Sequence, residues 1–393
     1  MKNVKIKDRV AIILVILSQV IVILVSNIFG YFWGVHNDYA QFDFPILVEA
    51  TGILMKYGFS PVQDHTALEY GMIRGLLDSY GDPFSYFIEP VQHELQTDQL
   101  SGQYGGIGSE ISKDSEGKYY LLPYPDSPAA KANVPDHAML LYIEEFPITE
   151  FANLDEIAAA IRGEAGTKVK LVLSSPPAYE DQFEVSIKRE EVPLPSVEYF
   201  ISKTNASVGV IRINVIAEST ADEVSSSVEA LMNKGATMFI IDLRNNGGGI
   251  VDAGINLAEM WLPKDQTIIQ KEEKDKEVET ITTKKDGAFV DMPIVLLINE
   301  NTASAAEIFA GALQANDRCA LFGKQTYGKN TIQLVFELQD TSSIHITNAI
   351  WGLPDIPGFS VGHGLIPDFS YEDIDSNDPI ILEDAIHWIL INP

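Results

Sequence analysis

A serine stands where an apolar segment gives way to a helical pattern, in the stretch NENTASAAEIFAGALQ. The residues before it include PIVLLIN, which predicts a strand, and the residues after it repeat small and apolar side chains at helical spacing. Ser304 can be a helix N-cap whose oxygen accepts a backbone N–H. It can also expose a nucleophilic hydroxyl at the edge of a sheet, where the helix N-terminus favours developing negative charge. Alone, the pattern favours the cap.

A serine nucleophile needs a group that takes its proton, and no histidine lies near Ser304 in the sequence. Before the C-terminal tail this part of the chain holds His345, in an alternating strand pattern, and His363, in a glycine-rich turn. Either could complete a triad, because triad members need not be close in sequence. The other choice is a lysine whose pKa is lowered by burial. Lys329, in QTYGKNTIQLVF, stands among aromatic and apolar residues at the start of a predicted strand.

A run of three glycines follows another apolar segment, TMFIIDL. Glycine at a strand end permits positive φ and presents bare N–H groups that can hold an oxyanion or a phosphate. The run, Gly247 to Gly249 in RNNGGG, fits neither a dinucleotide-binding fingerprint nor a phosphate-binding P-loop. Taken alone, it predicts a turn.

Length and charge limit the classes of function. The 393 residues are enough for two or three domains. There are 56 acidic against 27 basic residues, a formal charge of −29. Such an excess argues against binding nucleic acid, which needs clustered lysine and arginine. Cys319 is the only cysteine, which excludes an intrachain disulfide and a cysteine-based metal site.

The first 34 residues predict a membrane anchor. Residues 1–9 are a basic flank, and residues 10–34 carry no charge. As a helix, this uncharged segment is long enough to cross a hydrocarbon core about 30 Å thick. The basic flank should remain in the cytoplasm. A cleaved signal peptide would have a shorter apolar core and a small-x-small site. We therefore expect an uncleaved single-pass anchor in the cell membrane, with the rest of the chain outside the cytoplasm.

Four further regions follow the anchor. Residues 35–96 predict a helical region, and residues 97–190 combine short strands with two helices, as in a compact, partly open β-barrel. Residues 191–373 begin with a proline-stiffened linker and then alternate apolar strands with helices, which indicates an α/β core with a largely parallel sheet. Residues 374–393 predict a closing helix. Ligands of such sheets bind beyond the carboxyl ends of the strands, where RNNGGG and NENTAS fall.

Taken together, the motifs resemble the carboxyl-terminal processing proteases, the tail-specific serine peptidases. The similar segments, in the family's order, are GDPFSYFIEP, GQYGGIGSEI, DSPAAKANV, DLRNNGGG, TASAAEIFAGALQ, TYGKNTIQ and GHGLIPD. The resemblance covers nearly the whole chain after the anchor. It implies an α/β core of the crotonase/ClpP-like layered type, with an inserted PDZ-like β-rich domain at 97–190 and an N-terminal membrane helix.

The resemblance also implies a Ser-Lys dyad. Ser304 matches the nucleophile, Lys329 the general base and Gln333 the glutamine that orients the lysine. The N–H groups expected to form the oxyanion hole are those of Gly248, Gly249 and Ala305. No cofactor and no metal are expected.

In the PDZ-like region the resemblance implies a site for a free C-terminus. The tail would add as a strand, and its carboxylate would be held by the backbone amides of Gly106, Ile107 and Gly108. The expected partners are proteins or peptides with apolar C-termini, the membrane through the N-terminal helix, and a second copy of the chain through the N-terminal helices.

The sequence departs from the family pattern at four positions. Ala315 replaces an acidic residue that often follows GALQ, and Thr302 replaces the first serine of a Ser-Ala-Ser run. Asn133 and His137 alter a turn of the PDZ-like region that usually contains glycine. Two other functions remain open: a non-hydrolytic peptide-binding protein on the same core, and a Ser-His hydrolase that uses His363 or His345.

Overall fold

The computed structural model describes residues 44–62, 64–353, 356, 359 and 362–392. The predicted anchor at 10–34 and its basic flank at 1–9 lie outside these residues. Within the described part of the chain, no helix is long and apolar enough to cross a membrane. The chain divides into two compact units, Met1–Glu69 and Tyr70–Pro393.

The first described elements are two helices, α1 (Pro45–Tyr57) and α2 (His65–Tyr80). Proline at the first turn of α1 suits a position where no N–H is needed. None of the residues of α1 is buried, and it exposes large apolar side chains such as Ile46 and Val48. Strand β1 (Tyr86–Ile88) and helix α3 (Pro90–Ser101) come next, and Gly102 ends α3 in a left-handed conformation.

A β-rich region spans residues 103–193 and is mainly antiparallel. Its strand order is β3-β4-β5-β7-β8, with β6 on β5, while β2 pairs with β9 separately. A set of fully buried side chains, among them Leu121, Leu140 and Leu171, gives this region its own core. The elements are β2 (Gln103–Gly106), β3 (Ser109–Lys113), β4 (Tyr119–Pro123), α4 (Pro128–Lys131), β5 (Ala138–Ile143), β6 (Phe146–Pro147), α5 (Leu154–Ile161), β7 (Lys168–Ser174), β8 (Gln182–Lys188) and β9 (Glu190–Pro193).

The rest of the chain forms an α/β core. Its six-stranded sheet has the order β10-β11-β12-β15-β16-β19, and every neighbouring pair except β10–β11 is parallel. The elements are β10 (Val197–Ile201), β11 (Val208–Ile213), α6 (Thr220–Met232), β12 (Met238–Asp242), α7 (Val251–Glu259), β13 (Thr267–Glu273), β14 (Glu279–Thr282), β15 (Ile294–Ile298), α8 (Ala305–Ala315), β16 (Ala320–Gly323), β17 (Thr331–Glu337), β18 (Ser343–Gly352), β19 (Phe369–Ser370) and α9 (Pro379–Ile391).

Helices cover both faces of this sheet, which explains why its strands are almost continuously apolar. Ile241 and Leu296 lie in one buried cluster with side chains of α6, α7 and α8. Ile240 and Val295, the neighbours of those two residues along β12 and β15, pack against α9 on the other face. The mixed α/β class predicted from the sequence is confirmed.

The proline-containing segment EEVPLPSVEY is not the linker that the sequence predicts. Residues 190–193 form β9, which pairs with β2, and residues 197–201 form β10, which pairs with β11. Pro193 ends β9 and Pro195 lies between the two strands, so neither proline interrupts the middle of a strand. The linker prediction was wrong because one proline ends a strand and the other lies in the short connection to the next.

A second sheet stands beside the core and carries the lysine segment. Strands β1, β18, β13 and β14 are neighbours in that order, and β17 pairs with β18. In the core sheet, β12 and β15 are adjacent and parallel, so the loops that follow them emerge side by side. RNNGGG and NENTAS are those loops, and Lys329 lies just before β17.

Candidate active site

Ser304 occupies a strained turn between β15 and α8. Its backbone angles are φ 55° and ψ −121°, whereas an N-cap residue normally takes the extended β region. Residues other than glycine rarely adopt a positive φ, and such strain gathers at functional sites. A serine on a sharp strand-to-helix turn is the geometry of a nucleophile elbow. Ser304 is thus positioned as a cap but does not have the backbone conformation of an ordinary one.

Asparagine side chains bind the two loops to each other. The Asn245 N–H donates to Asn299 Oδ1 at 2.9 Å, and Asn299 Nδ2 donates back to Asn245 Oδ1 at 2.9 Å. The Ala303 N–H donates to the carbonyl oxygen of Asn246 at 3.0 Å. Thr302 is buried, and its hydroxyl donates to the carbonyl oxygen of Leu243 at 2.9 Å. These bonds hold the glycine run against the serine turn.

Gly248 lies directly against Ser304. A Cβ at this glycine would be 2.8 Å from Ser304 Cβ and 2.9 Å from the Ala305 nitrogen, and its φ is 97°. Only glycine fits this space. The Gly248 N–H donates to Asn246 Oδ1 at 2.9 Å, so an oxyanion at that amide would have to replace the Asn246 oxygen. The Ala305 N–H is the first of α8, a position for which a helix offers no internal acceptor.

Ser304 and Lys329 line one cavity of about 550 Å³, which we call the serine cavity. Gln333 and Gly249 also line it. Its polar wall includes Tyr86, Gln96 and His345. Its apolar wall is formed mainly by Leu100, Ile250, Val251, Ile255, Ile281, Ile332 and Val335.

The pKa of Lys329 is lowered from its usual value because burial disfavours the ammonium form. The Asp82 carboxylate opposes this shift by favouring the charged form. A lysine whose pKa is lowered spends more time as a neutral amine, which is the form that can accept a serine proton. Gln333 Nε2 donates to Thr331 Oγ1 at 2.8 Å and to Thr347 Oγ1 at 3.5 Å. Among the described contacts of the Gln333 side chain, there is no hydrogen bond to Lys329.

The two histidines occupy different environments. The His345 ring stacks on Tyr86 with centroids 4.5 Å apart, and its Nε2 shares a hydrogen bond with Ser343 Oγ at 3.2 Å. Burial, together with the charges of His93 and Lys329, lowers the pKa of His345 to about 4. An imidazole with that pKa is a weak base at neutral pH. His363 is exposed and is not among the described residues that line the serine cavity.

Two carboxylates of the site were given no role from the sequence. Asp82 accepts hydrogen bonds from Ser85 Oγ at 2.5 Å and from the Phe84 N–H at 3.1 Å. Burial raises the pKa of Asp82, but its hydrogen bonds outweigh burial, so the pKa is lowered. The sequence GDPFSYF could have indicated this role, because an aspartate at the start of a turn can accept hydrogen bonds from the turn's own backbone.

Glu307 is the second of these carboxylates. It is fully buried, and it accepts hydrogen bonds from the Ser304 turn and from the Lys329 segment. Burial raises the pKa of Glu307, while the hydrogen bonds oppose that shift. The signal in the sequence was the Ser-x-x-Glu spacing of a capping box.

A second cavity, of about 570 Å³, lies in the β-rich region, and we call it the α5 cavity. Of the three residues predicted to hold a carboxylate, Ile107 lines it. Gly108 has φ 64°, and a Cβ there would be 2.6 Å from Ser127 Cβ. Asn133 and His137, which replace glycine in the family's turn, both take left-handed conformations, at φ 59° and 60°. The turn therefore has a glycine-like backbone without glycine.

Helix α3 lines both cavities. Leu95 faces the α5 cavity, and Gln96 and Leu100 face the serine cavity. Asp98 accepts a hydrogen bond from Arg162 at 2.7 Å, and Arg162 also lines the α5 cavity. The same helix thus carries side chains into the two places where the sequence predicts ligands.

Comparison with known proteins places this arrangement in a family. Residues 207–371 match Peptidase family S41. The chain is 35% identical over 289 residues to a carboxyl-terminal-processing protease of Synechocystis. The aligned residues cover 72% of this chain and 67% of that protein. The chain belongs to peptidase family S41. The resemblance to the carboxyl-terminal processing proteases is therefore confirmed.

Two further known proteins are similar to this chain. The carboxy-terminal processing protease CtpA of Bacillus subtilis is 34% identical over 288 residues, which cover 73% of this chain and 60% of that protein. The chain therefore matches about 60% of the length of the Bacillus relative. Among solved structures, the photosystem II D1 C-terminal processing protease is 25% identical with a TM-score of 0.44, over 82% of this chain and 86% of that one.

Proposed function

We propose that this chain is a serine endopeptidase that processes proteins at their C-terminal tails, with Ser304 as nucleophile and Lys329 as general base. One observation carries the proposal. Ser304, in a strained strand-to-helix turn, and Lys329, whose pKa is lowered by burial, line the same cavity. The names of the S41 relatives, which are processing proteases, support the same reaction.

In the proposed reaction the neutral Lys329 amine takes the Ser304 proton while Oγ attacks the scissile carbonyl carbon. The resulting ammonium then protonates the leaving amine, which departs as the C-terminal fragment. An ester joins Ser304 to the remaining substrate. Lys329 next takes a proton from water while the water oxygen attacks the ester carbonyl. The Lys329 ammonium then returns this proton to Ser304 Oγ as the ester bond breaks, and the acid product leaves. Gln333, on the same cavity wall, is proposed to orient the lysine.

The oxyanion of the tetrahedral intermediate needs donors that are already in place. The Ala305 N–H at the start of α8 and the Gly249 N–H are proposed to supply them. Gly248 can join them once its N–H leaves Asn246 Oδ1. The apolar wall of the serine cavity suits an apolar substrate side chain beside the scissile bond.

Residues 97–190 are proposed to act as a PDZ-like domain that holds the substrate tail. The α5 cavity is near the Gly106–Gly108 loop, whose N–H groups would hold the carboxylate. Ile107 and Ile111 offer apolar contacts for the last side chain. Arg162, which pairs with Asp98, also lines the cavity, together with the acidic Glu110 and Asp155. These features support recognition of a free, apolar C-terminus.

The central test is cleavage of a peptide that ends in apolar residues. Ser304→Ala and Lys329→Ala should each abolish turnover, while Lys203→Ala, at an exposed lysine of the core, should not change it. Turnover that persists in Lys329→Ala, together with its loss in His363→Ala or His345→Ala, would favour a Ser-His hydrolase. Binding of the peptide without any turnover by the parent chain would favour a binding protein.

Recognition of the tail has a test of its own. A peptide whose C-terminus is amidated lacks the carboxylate that the loop would hold, so its KM should rise relative to the free acid. Equal kinetics for the two peptides would refute the role proposed for the Gly106–Gly108 loop.

We also propose that residues 10–34 anchor the chain in the cell membrane, with the catalytic part outside the cytoplasm, and that two copies pair through their N-terminal helices. The uncharged sequence supports the anchor, and the exposed apolar side chains of α1 support the pairing. Light scattering of the detergent-solubilised full chain should give a dimer, and Val48→Glu should convert it to a monomer. Recovery in the soluble fraction without detergent would contradict the anchor.

A further inference from the structure

Glu307 connects the two segments that carry the proposed dyad. Its Oε2 accepts the Ser304 N–H at 2.8 Å and the Lys329 N–H at 2.9 Å. Its Oε1 accepts the Gly328 N–H at 2.7 Å and the Thr326 hydroxyl at 2.5 Å. One side chain thus bonds to the turn before α8 and to the segment before β17.

These contacts use all that a carboxylate offers. An ionised carboxylate has about four acceptor positions and no donor. The four groups that face Glu307 all donate, and three of them are backbone N–H groups that cannot become acceptors. The side chain is fully buried, so water does not replace a lost bond at low cost.

An ordinary helix cap does not need this arrangement. A capping box requires only that the glutamate accept the N–H of its own cap residue. The three additional bonds all go to residues 326–329, about twenty positions further along the chain. They fix the backbone of the lysine relative to the backbone of the serine.

We propose that Glu307 is a positioning residue that sets the approach of the Lys329 amine to the Ser304 hydroxyl by joining their backbones. This role rests on the proposed Ser-Lys function. Displacement of a catalytic group by about 1 Å can cost about 10²-fold in rate, so a loss of this connection should act on kcat.

Glu307→Gln is the sharpest variant because it keeps the size of the side chain. An amide has one oxygen and one NH₂ group, and in either orientation the NH₂ group faces at least one backbone N–H that formerly had an acceptor. We expect kcat for the peptide to fall about 10²-fold, with KM within about twofold of the parent value.

The core contains a matched control. Glu223, at the start of α6, accepts the N–H groups of Ser196 and Val197 at 2.8 and 3.1 Å and the Ser219 hydroxyl at 2.6 Å. It also joins a helix start to a separate segment, but none of these partners is among the described residues that line the serine cavity. Glu223→Gln should lower the midpoint of thermal unfolding and leave kcat within about twofold.

A second pair of variants tests the connection from its other end. Thr326→Ser keeps the hydroxyl that donates to Glu307 and should retain most of the parent kcat. Thr326→Val removes that donor, together with the acceptor of the Leu365 N–H, and should lower kcat without a matching change in KM.

The experiment measures kcat, KM and thermal unfolding of the detergent-solubilised full chain and these variants, with Lys329→Ala beside them. If Glu307→Gln keeps the parent kcat while Lys329→Ala is inactive, the positioning role is wrong and the Ser-Lys function stands. The positioning role is also wrong if Glu307→Gln and Glu223→Gln lose kcat equally, because a general loss of folding would explain both. If the parent chain is inactive, or Lys329→Ala is fully active, the proposed function fails and the role of Glu307 fails with it.

Discussion

Two helices of the core begin at a serine that follows a strand of the same sheet, and their glutamates bind different atoms. At α6, Ser219 has helical angles, φ −78° and ψ −13°, and its hydroxyl donates to Glu223. At α8, Ser304 has φ 55°, and Glu307 accepts its backbone N–H. The first carboxylate engages the hydroxyl, whereas the second holds the backbone of a serine that lines a cavity. Residue types alone do not separate these two serines, but their backbone conformations do.

Removal of the two hydroxyls should give the largest difference between these helix starts. Ser304→Ala should lower peptide cleavage by at least about 10⁴-fold, since no other group can form the ester. Ser219→Ala should keep kcat and lose about 1 kcal/mol of folding free energy, because only a hydrogen bond is removed. Cleavage assays and urea unfolding of both variants measure this. If Ser304→Ala cleaved the peptide at the parent rate, the Ser304 hydroxyl would have no role that the Ser219 hydroxyl lacks.

Glycine substitutions near each helix should show the next largest effect. Gly248→Ala places a Cβ against Ser304 and the Ala305 nitrogen, so kcat should fall about 10²–10³-fold as the oxyanion donors shift. Gly235, just after α6, has φ 100° and open space around it, so Gly235→Ala isolates the cost of the backbone conformation. Gly235→Ala should lose roughly 1–2 kcal/mol of folding free energy. Gly248→Ala should lose more, because its Cβ also clashes with its neighbours. If the two variants had similar values of kcat, close packing at Gly248 would not be the cause of the fall in kcat.

The pH dependence of cleavage should respond to Asp82, whose charge acts on Lys329, and not to Glu223 at the start of α6. The Asp82 carboxylate raises the pKa of Lys329 against the effect of burial. In the proposed mechanism cleavage needs the neutral amine, so kcat/KM should increase with pH through that pKa. Asp82→Asn removes the negative charge, which lowers the pKa of Lys329 further and moves the acidic limb to lower pH. Glu223→Gln is the control and should leave the limb in place; a shift of the limb to higher pH in Asp82→Asn would contradict this account.

The smallest expected effect is a gain in stability. Below its unfolded pKa near 10.5, Lys329 is protonated in the unfolded chain, whereas burial opposes the charge in the folded chain. Lys329→Met should therefore increase the free energy of unfolding at pH 7 by about 0.5–2 kcal/mol while abolishing cleavage. The gain should shrink as the pH approaches 10, because the unfolded lysine then loses its proton too. A constant difference between pH 7 and 10 would argue against burial of the amine as its cause.

The sequence was sufficient for the parts of the fold that follow from side-chain patterning. Continuous apolar segments between helical patterns indicated the α/β core, because a strand that is covered by helices on both faces has apolar side chains at nearly every position. The segment after residue 189 was wrongly predicted to be a linker, because its structure depends on a distant part of the chain and not on its own side-chain pattern. Whether a proline ends a strand or replaces it depends on the partner strand, and β2 lies almost ninety residues earlier in the chain.

For the site, too, some features follow from short segments of the sequence and others depend on contacts between segments. Ser304, Lys329 and the glycine run stand in recognisable segments, so their candidacy could be predicted. The bonds of Glu307 to residues 326–329 and the effect of Asp82 on Lys329 depend on how separate segments meet. No periodicity or spacing encodes those contacts.

Ala315 also has a structural explanation. It is the last residue of α8, eleven positions after Ser304, and a helix rises about 1.5 Å per residue, which places it about 16 Å away along the axis. An acidic side chain at this position would lie at the far end of the helix from Ser304. Its absence from this chain therefore removes no group from the serine cavity.

Helix α3 contributes Leu95 to the α5 cavity and Gln96 to the serine cavity. Adjacent residues of a rigid helix cannot adjust independently, so ligands in the two cavities act on one shared wall. Thermodynamic linkage then makes their effects equal in both directions. Whatever factor a substrate tail applies to the affinity of an inhibitor at Ser304, the inhibitor applies to the affinity of the tail. Where the shared helix couples the proposed tail site to the proposed active site, an inhibitor selected on the isolated active site also changes how firmly the chain holds its substrates.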